Sequence, residues 1–286
     1  MLDINPAAAS AKRIPDEERT LPFLHLNPRP PKPRRTGMTE IRGPYYTPVG
    51  KTYLQELLDT MGQWIDSFKF GGGAFAVMPR RVVTEIIEIC HAHDVTVSTG
   101  GFIERVLTQG PLAVDQYIDE CRQLGFDTIE ISSGFVTIPT DGILRLIEKV
   151  RRAGMKPKPE IGIQFGAGGA SSAEELEAEG TRDPKWAIGQ AKRYLEAGAS
   201  ILMIESEGIT ESVKTWRTDV PAQFAQELGL ENVMFEAADP AVFDWYVKSF
   251  GVDVNLFVDH SQIVQLECLR SGVWGTRSTW GRMLSC

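Results

Sequence analysis

The sequence is poor in the residues that mark several common functional classes. Only four cysteines occur among 286 residues (Cys90, Cys121, Cys268 and Cys286), with no CxxC pair and no short spacing. This excludes a disulfide-stapled scaffold and predicts free thiols in a reducing compartment. The four histidines, His25, His91, His93 and His260, make no zinc set. No uninterrupted apolar run approaches the roughly 18 residues a membrane helix needs, so no membrane partner is expected. Positive charge is not in excess: 30 lysines and arginines face 38 aspartates and glutamates, a net charge of −8. A general nucleic-acid binder needs a basic surface, so nucleic acid is not an expected partner. The N-terminus lacks the basic start and apolar core of a secretory leader, which makes the cytoplasm the expected location. No GxGxxG fingerprint follows the first strand pattern, and Gly71-Gly72-Gly73 does not supply one. That argues against an open dinucleotide-binding sheet. With 42% hydrophobic and 24% charged residues, the chain also excludes collagen-like, coiled-coil and wholly disordered classes.

What is present is organised in two parts. Pro6, Pro15, Pro22, Pro28, Pro30, Pro31 and Pro33 place seven of the 17 prolines within residues 1–35. Proline removes backbone donors and blocks helices, so this segment reads as an extended, partly disordered arm. It ends in a basic run that includes Arg34 and Arg35, either solvated across the domain or neutralising an anionic ligand. From residue 36 to 286 short β-branched runs alternate with amphipathic stretches. Strands are predicted at 36–41, 65–70, 95–99, 128–132, 160–165, 200–206, 233–237 and 254–258. Helices are predicted at 51–63, 80–93, 112–124, 141–153, 183–197, 220–228, 241–250 and 262–270. Gly125, Gly154, Gly198, Gly229 and Gly251 punctuate the helix-to-strand turns. Eight strand–helix pairs at this length predict one α/β domain, a (β/α)8 TIM barrel.

In such a barrel the active site lies at the C-terminal ends of the strands. Ionisable residues are predicted there in unusual number: Arg42, Lys69, Glu130, Glu160, Glu205, Glu236 and His260. Buried charges are costly unless paired or coordinating, so a polar pocket of glutamates with Lys69 is expected. Lys69 precedes three glycines, which allow close approach of a ligand. It is a candidate for proton transfer or carbonyl attack if its pKa is lowered, and otherwise for an ion pair with a strand glutamate. Oxygen ligands suit Mg²⁺, with Glu130, Glu205 and Glu236 as the candidate ligands. Glu160 and His260 join Lys69 as catalytic candidates. His91 and His93 are expected at the opposite rim. Arg34, Arg42, Arg270, Arg277 and Arg282 are candidates for binding a small anionic substrate. Residues 166–180 are long for a loop and read as an acidic mobile lid or a disordered insertion.

Certain phrases recur in order: Lys32-Pro33-Arg34, Gly37-Met38-Thr39, Lys69-Phe70-Gly71, Glu160-Ile161-Gly162, Val254-Asn255-Leu256 and Glu267-Cys268-Leu269-Arg270. With these the chain resembles the phosphosulfolactate synthase family. Thr39-Glu40-Ile41-Arg42-Gly43-Pro44 and Asn255-Leu256-Phe257-Val258-Asp259-His260 bring it nearest to the plant heat-stress-associated 32-kDa type members. The resemblance implies a (β/α)8 fold and a Mg²⁺-dependent addition of sulfite to phosphoenolpyruvate, giving (2R)-2-phospho-3-sulfolactate. Three departures keep alternatives open, one being Glu207, which stands where the synthases carry a basic residue near Glu205. The synthases carry an aspartate soon after the first-strand threonine, where Arg42-Gly43-Pro44 stands here. They carry a lysine after the strand-five Glu-x-Gly, where this chain has Ile163 and Gln164. The alternatives are a non-catalytic heat-stress-associated barrel and an enzyme acting on a different small phosphorylated carboxylate. Association into a homo-oligomer stays open.

Overall fold

In the computed structural model, which describes residues 19–180, 183–237, 239–275 and 279, eight short parallel strands close into a barrel in chain order. They are β1 (Thr39–Arg42), β2 (Ser67–Lys69), β3 (Thr96–Ser98), β4 (Thr128–Ile131), β5 (Lys156–Ile161), β6 (Leu202–Ile204), β7 (Val233–Glu236) and β8 (Leu256–Asp259). The barrel closes where β1 pairs with β8, with Glu40 opposite Phe257 and Arg42 opposite Asp259. The helices are α1 (Lys51–Met61), α2 (Arg80–Ala92), α3 (Ile103–Leu107), α4 (Pro111–Leu124), α5 (Thr140–Arg152), α6 (Ala173–Glu179), α7 (Pro184–Glu196), α8 (Asp219–Leu228), α9 (Pro240–Phe250) and α10 (Ile263–Arg270). This is the (β/α)8 TIM barrel that the alternation predicts. None of the helices among the described residues is long and apolar enough to cross a membrane.

Side chains alternate across each strand, so the outward set packs against helices and the inward set fills the barrel. Ile41, Phe68, Ile129 and Ile131 join Leu54, Ile86, Ile147 and Phe224 in the shell between sheet and helices. Inside, Met203, Met234 and Phe257 make a separate apolar cluster on the β6–β8 side. The other half of the interior is charged.

Three elements differ from the sequence expectation. Strand β5 starts at Lys156 rather than 160, through Lys156-Pro157-Lys158-Pro159. Alternate residues of a parallel strand bond to opposite neighbours. Lys156 N–H donates to Asp127 O on the β4 side, whereas Pro157 O accepts from Ser200 N–H on the β6 side. The donors missing at proline therefore fall on the β6 side, where register begins only at Glu160 opposite Met203. The second difference is α3, a short helix that precedes α4. The third is α6, which occupies the segment read as a lid or disordered insertion. A capping box starts it, with Ser172 accepting from Glu175 N–H and the Glu175 carboxylate accepting from Ser172 N–H.

Residues 19–35 form no helix or strand and run across the N-terminal end of the barrel. Arg34 pairs with Asp66 at 2.9 Å and donates to Gln63 O at 2.8 Å. Lys32 Nζ donates to His93 O and Asp94 O. Arg29 pairs with Glu267 under the same end. Arg270 is fully buried, donating to Gly37 O at 2.7 Å and Val254 O at 2.8 Å. Substrate-binding roles for Arg34 and Arg270 are thereby corrected: both close the end of the barrel opposite the strand C-termini, with donors spent on the chain itself. Arg277 and Arg282 lie outside the described residues.

Candidate active site

The period of two decides which charges face inward. Glu40 and Arg42 on β1, Lys69 on β2, Glu130 on β4, Lys158 and Glu160 on β5 and Glu236 on β7 all point into the barrel. Glu205, one residue past β6, joins them. Their pairings form a chain of contacts. Lys158 Nζ lies 2.6 Å from Glu40 Oε2 and 3.0 Å from Glu130 Oε2. Lys69 Nζ lies 2.7 Å from Glu130 Oε1 and 3.8 Å from Glu160 Oε2. Arg42 pairs with Glu236. Its guanidinium also sits over the rings of Tyr45, Tyr46 and Phe257, at 5.0–5.7 Å from their centroids.

This geometry sorts the sequence candidates. Lys69 is an ion-paired ammonium and not a lowered-pKa nucleophile. Burial alone would lower its pKa, but Glu130, Glu160 and Glu236 outweigh burial and hold it above the ordinary lysine range. The Schiff-base reading of Lys69 is corrected on that ground. Glu130 is held between two lysines. Burial pushes its carboxyl up, yet Lys158 and Lys69 prevail and keep it below the usual range. Glu130 is thus committed to ion pairing, and the ligand trio regroups around Glu160. One oxygen each of Glu160, Glu205 and Glu236 lie within 4.8 Å of one another.

That trio crowds three carboxyl groups whose ionisation is opposed by burial and by one another. Burial, then Glu130 and Glu205, hold Glu160 well above the carboxylate range. Burial and Glu236 push Glu205 up to about 8, although the N–H groups of Ser206 and Glu207 donate to its Oε1. Glu236 is raised by burial against the pull of Lys69 and Arg42. In the interior, five carboxylates (Glu40, Glu130, Glu160, Glu205, Glu236) face three cations (Lys69, Lys158, Arg42). With all five ionised the excess would be two negative charges, which a divalent cation on three convergent oxygens would neutralise; without a cation, Glu160 and Glu205 keep protons at neutral pH. The residues present therefore fit a hard divalent metal. Beside Lys69 in register, the Ser98 hydroxyl on β3 is fully buried and lacks a hydrogen-bond partner among the described residues.

Backbone geometry brings loops onto the trio. Gly168 has φ +86°, and a Cβ there would fall 2.7 Å from Glu205 Oε2 and 3.2 Å from Glu160 Oε1. Only glycine lets this backbone rest on the carboxylates. The loop after β4 is held by Glu104, whose carboxylate accepts from the N–H groups of Gly134, Phe135 and Val136. His260 follows β8, with Nδ1 2.7 Å from the Tyr53 hydroxyl and Nε2 3.3 Å from Thr47 Oγ1. Both ring nitrogens thus face hydroxyls of α1 and the loop before it, an arrangement suited to holding that loop. His91 and His93 sit at the other rim, on Asp127 and Asp59.

Lys158 is the interior residue that sequence reasoning misses. Its two flanking prolines disguise the strand. The available signal is the spacing Lys156, Lys158, Glu160, which places all three on one face of a strand.

The family model for (2R)-phospho-3-sulfolactate synthase (ComA) matches residues 27–276. Protein HEAT-STRESS-ASSOCIATED 32 of Arabidopsis thaliana is 39% identical over 258 residues, covering 87% of this chain and 90% of that protein. Phosphosulfolactate synthase of Methanothermobacter thermautotrophicus is 27% identical over 257 residues, covering 87% and 93%. Among solved structures, deoxyribose phosphate aldolase from Aeropyrum pernix shares the fold, with a TM-score of 0.50 and 12% identity over 83% of this chain and 91% of that one. Matched along most of its length, the chain belongs to the (2R)-phospho-3-sulfolactate synthase (ComA) family.

Proposed function

We propose that this barrel is a Mg²⁺-dependent lyase-type synthase that adds sulfite to phosphoenolpyruvate, giving (2R)-2-phospho-3-sulfolactate. The observation that carries the reading is the trio of half-buried Glu160 with buried Glu205 and Glu236, set beside Lys69 and Arg42 at the strand C-termini of a barrel in this family.

The reaction is an addition, so no group leaves. The sulfur lone pair bonds to the methylene carbon, the double-bond pair moves toward the carboxylate, and a proton joins the phosphate-bearing carbon. Negative charge therefore grows on the carboxylate. Glu160, Glu205 and Glu236 would hold the Mg²⁺, which when bound supplies charge to the oxygens that gain electrons. Lys69 is a permanent ammonium fixed by Glu130, so it faces the developing charge without reorganising. Arg42 is pinned by Glu236 and flanked by aromatic rings, which suits a planar cation receiving a phosphate or carboxylate.

One observation favours a second reading, the same metal-assisted chemistry on a less anionic substrate. Gln164, where the resemblance leads one to expect a lysine, spends its amide on Leu176 O at 2.7 Å and Gly180 O at 3.0 Å. It brings no charge to the pocket.

A phosphorus NMR time course with the purified chain, phosphoenolpyruvate, sulfite and Mg²⁺ separates the readings. A new phosphate-ester signal that needs sulfite and is lost in Lys69→Met supports the synthase. No product from folded protein, with Mg²⁺-dependent thermal stabilisation by other phosphorylated carboxylates, favours the second reading. Neither product nor stabilisation would leave a non-catalytic barrel.

A further inference from the structure

Within residues 166–180 the backbone of Gly168 rests on Glu160 and Glu205 and Ala167 is buried, while most of the remainder is exposed. Along α6 Leu176 is buried, while Glu174, Glu175, Glu177, Ala178 and Glu179 are exposed. An element with so little buried apolar surface opens at low cost. Its ends carry glycine at positive φ, Gly166 at +80° and Gly180 at +75°. Between them the capping box makes α6 a preformed turn of helix that can move as a unit. Three side chains tie the segment down from outside it. Lys214 Nζ forms an exposed ion pair with Glu177 at 2.9 Å, which contributes little. The other two are buried or half-buried latches. Gln164 holds the far end through Leu176 O and Gly180 O. Glu207 holds the near end, its Oε2 accepting from Gly168 N–H at 2.8 Å and Ser171 N–H at 3.4 Å. Behind α6 lies a cavity of about 180 Å³, bordered by Gln164, Leu176, Gly180, Gly208, Lys214 and Arg217. The segment therefore borders open space at α6 and meets Glu160 and Glu205 at Gly168.

We propose that residues 166–180 are a lid over the carboxylate trio, latched by Gln164 and Glu207, which lifts to admit the divalent cation and the small anion. Gln164 and Glu207 are positioning residues in this scheme: they act through the backbone of Gly168, which rests on Glu160 and Glu205. The lid gives Gln164 a purpose that a substrate-binding lysine would not serve. It rests on the metal reading above for what the lid admits, but not for whether the lid moves.

Hydrogen–deuterium exchange on the full chain tests the motion, in metal-free protein and with Mn²⁺ as the probe. Amides of α6 should exchange well before those of α7, and Mn²⁺ should slow them. Gln164→Leu removes both amide donors while keeping the volume. It should raise the opening equilibrium about 30-fold, the exchange equivalent of two neutral hydrogen bonds. Stopped-flow Mn²⁺ association reads the opening step in the wild type and in Gln164→Leu. A lid makes the observed rate level off at high Mn²⁺, and the plateau rises in Gln164→Leu; a merely structural glutamine would lower the melting temperature without moving the plateau. Exchange of α6 no faster than α7, or an association rate that climbs linearly with Mn²⁺ in the wild type, overturns the lid. If Mn²⁺ does not bind, the metal reading fails, and the exchange comparison in metal-free protein still decides the lid.

Discussion

Lys158→Met removes the ammonium that joins Glu40 to Glu130. The lysine side chain is 3% exposed, with Nζ at 2.6 Å and 3.0 Å from the two carboxylates. Methionine fills a similar volume, so lost packing contributes little. The cost is electrostatic. Glu40 is left with the Ser67 hydroxyl at 2.9 Å, and Glu130 with Lys69 at 2.7 Å. Removing one partner from a buried ion pair costs about 3–5 kcal/mol. At roughly 2–4 °C per kcal/mol for a large domain, the melting temperature should fall by about 10 °C. Glu40→Gln should cost less, because Lys158 keeps Glu130. In the double variant no uncompensated carboxylate remains at position 40, so the two losses should overlap by about 2 kcal/mol. Urea unfolding of the four proteins at neutral pH measures the cycle. Additive losses, or a Lys158→Met cost below about 1 kcal/mol, would refute the account of a charged interior held by Lys158. The pH dependence has a definite sign. Glu130 is held below its usual range, so its contribution is present at neutral pH. That contribution is lost as pH falls through the unfolded carboxylate value near ~4.3 and below. Lys158→Met should therefore show a shallower acid limb.

Three further outcomes are expected. Glu205→Gln should weaken Mn²⁺ binding by about 100-fold or more, while Glu130→Gln weakens it by less than about 10-fold, read by titration calorimetry. Because Glu205 is pushed up to about 8 and Glu160 well above the carboxylate range, a metal must displace protons from the trio. Mn²⁺ affinity should rise from pH 6 toward about pH 8, with proton release visible as a buffer-dependent binding enthalpy. In metal-free protein these raised groups stabilise the fold at low pH. That stability is lost as pH rises through the folded values, and Mn²⁺ should restore it. Arg270→Met should destabilise by about 3 kcal/mol or more, because it strips donors from buried carbonyls of Gly37 and Val254. It should leave Mn²⁺ affinity within about twofold, and a large loss of affinity would reinstate Arg270 as a site residue.

The placement of charge at the strand C-termini was legible because one residue type at one spacing has one consequence there. Lys69, Glu205 and Glu236 each fall near the end of a predicted strand and Glu160 at the start of one, so the barrel topology brings them together. Which glutamates would share a metal was not legible. Glu130 and Glu160 look alike in sequence, and only their positions relative to Lys158 separate them. Arg34 and Arg270 were misplaced for a related reason. Arginine reads as an anion binder, yet their distance along the chain from any strand C-terminus leaves them under the barrel, where Asp66 and backbone carbonyls use their donors. Residues 166–180 read as loop because an acidic, glycine-flanked stretch has little helical periodicity. The capping box at Ser172 and Glu175 was the signal for α6.

By itself the sequence determined the fold class, the order and approximate bounds of nearly every element, and the end of the barrel that bears the ionisable residues. These follow from local rules: the two periodicities, the glycine stops and the chain length of a strand–helix unit. Only the tertiary structure decided which charges neutralise one another, which carboxylates are left in excess, and that Gln164 ties down the segment above them. Those depend on distances between residues far apart in the chain. Inside a barrel, where water screens little, a shift of a few ångströms turns a carboxylate from an ion-pair partner into a candidate metal ligand.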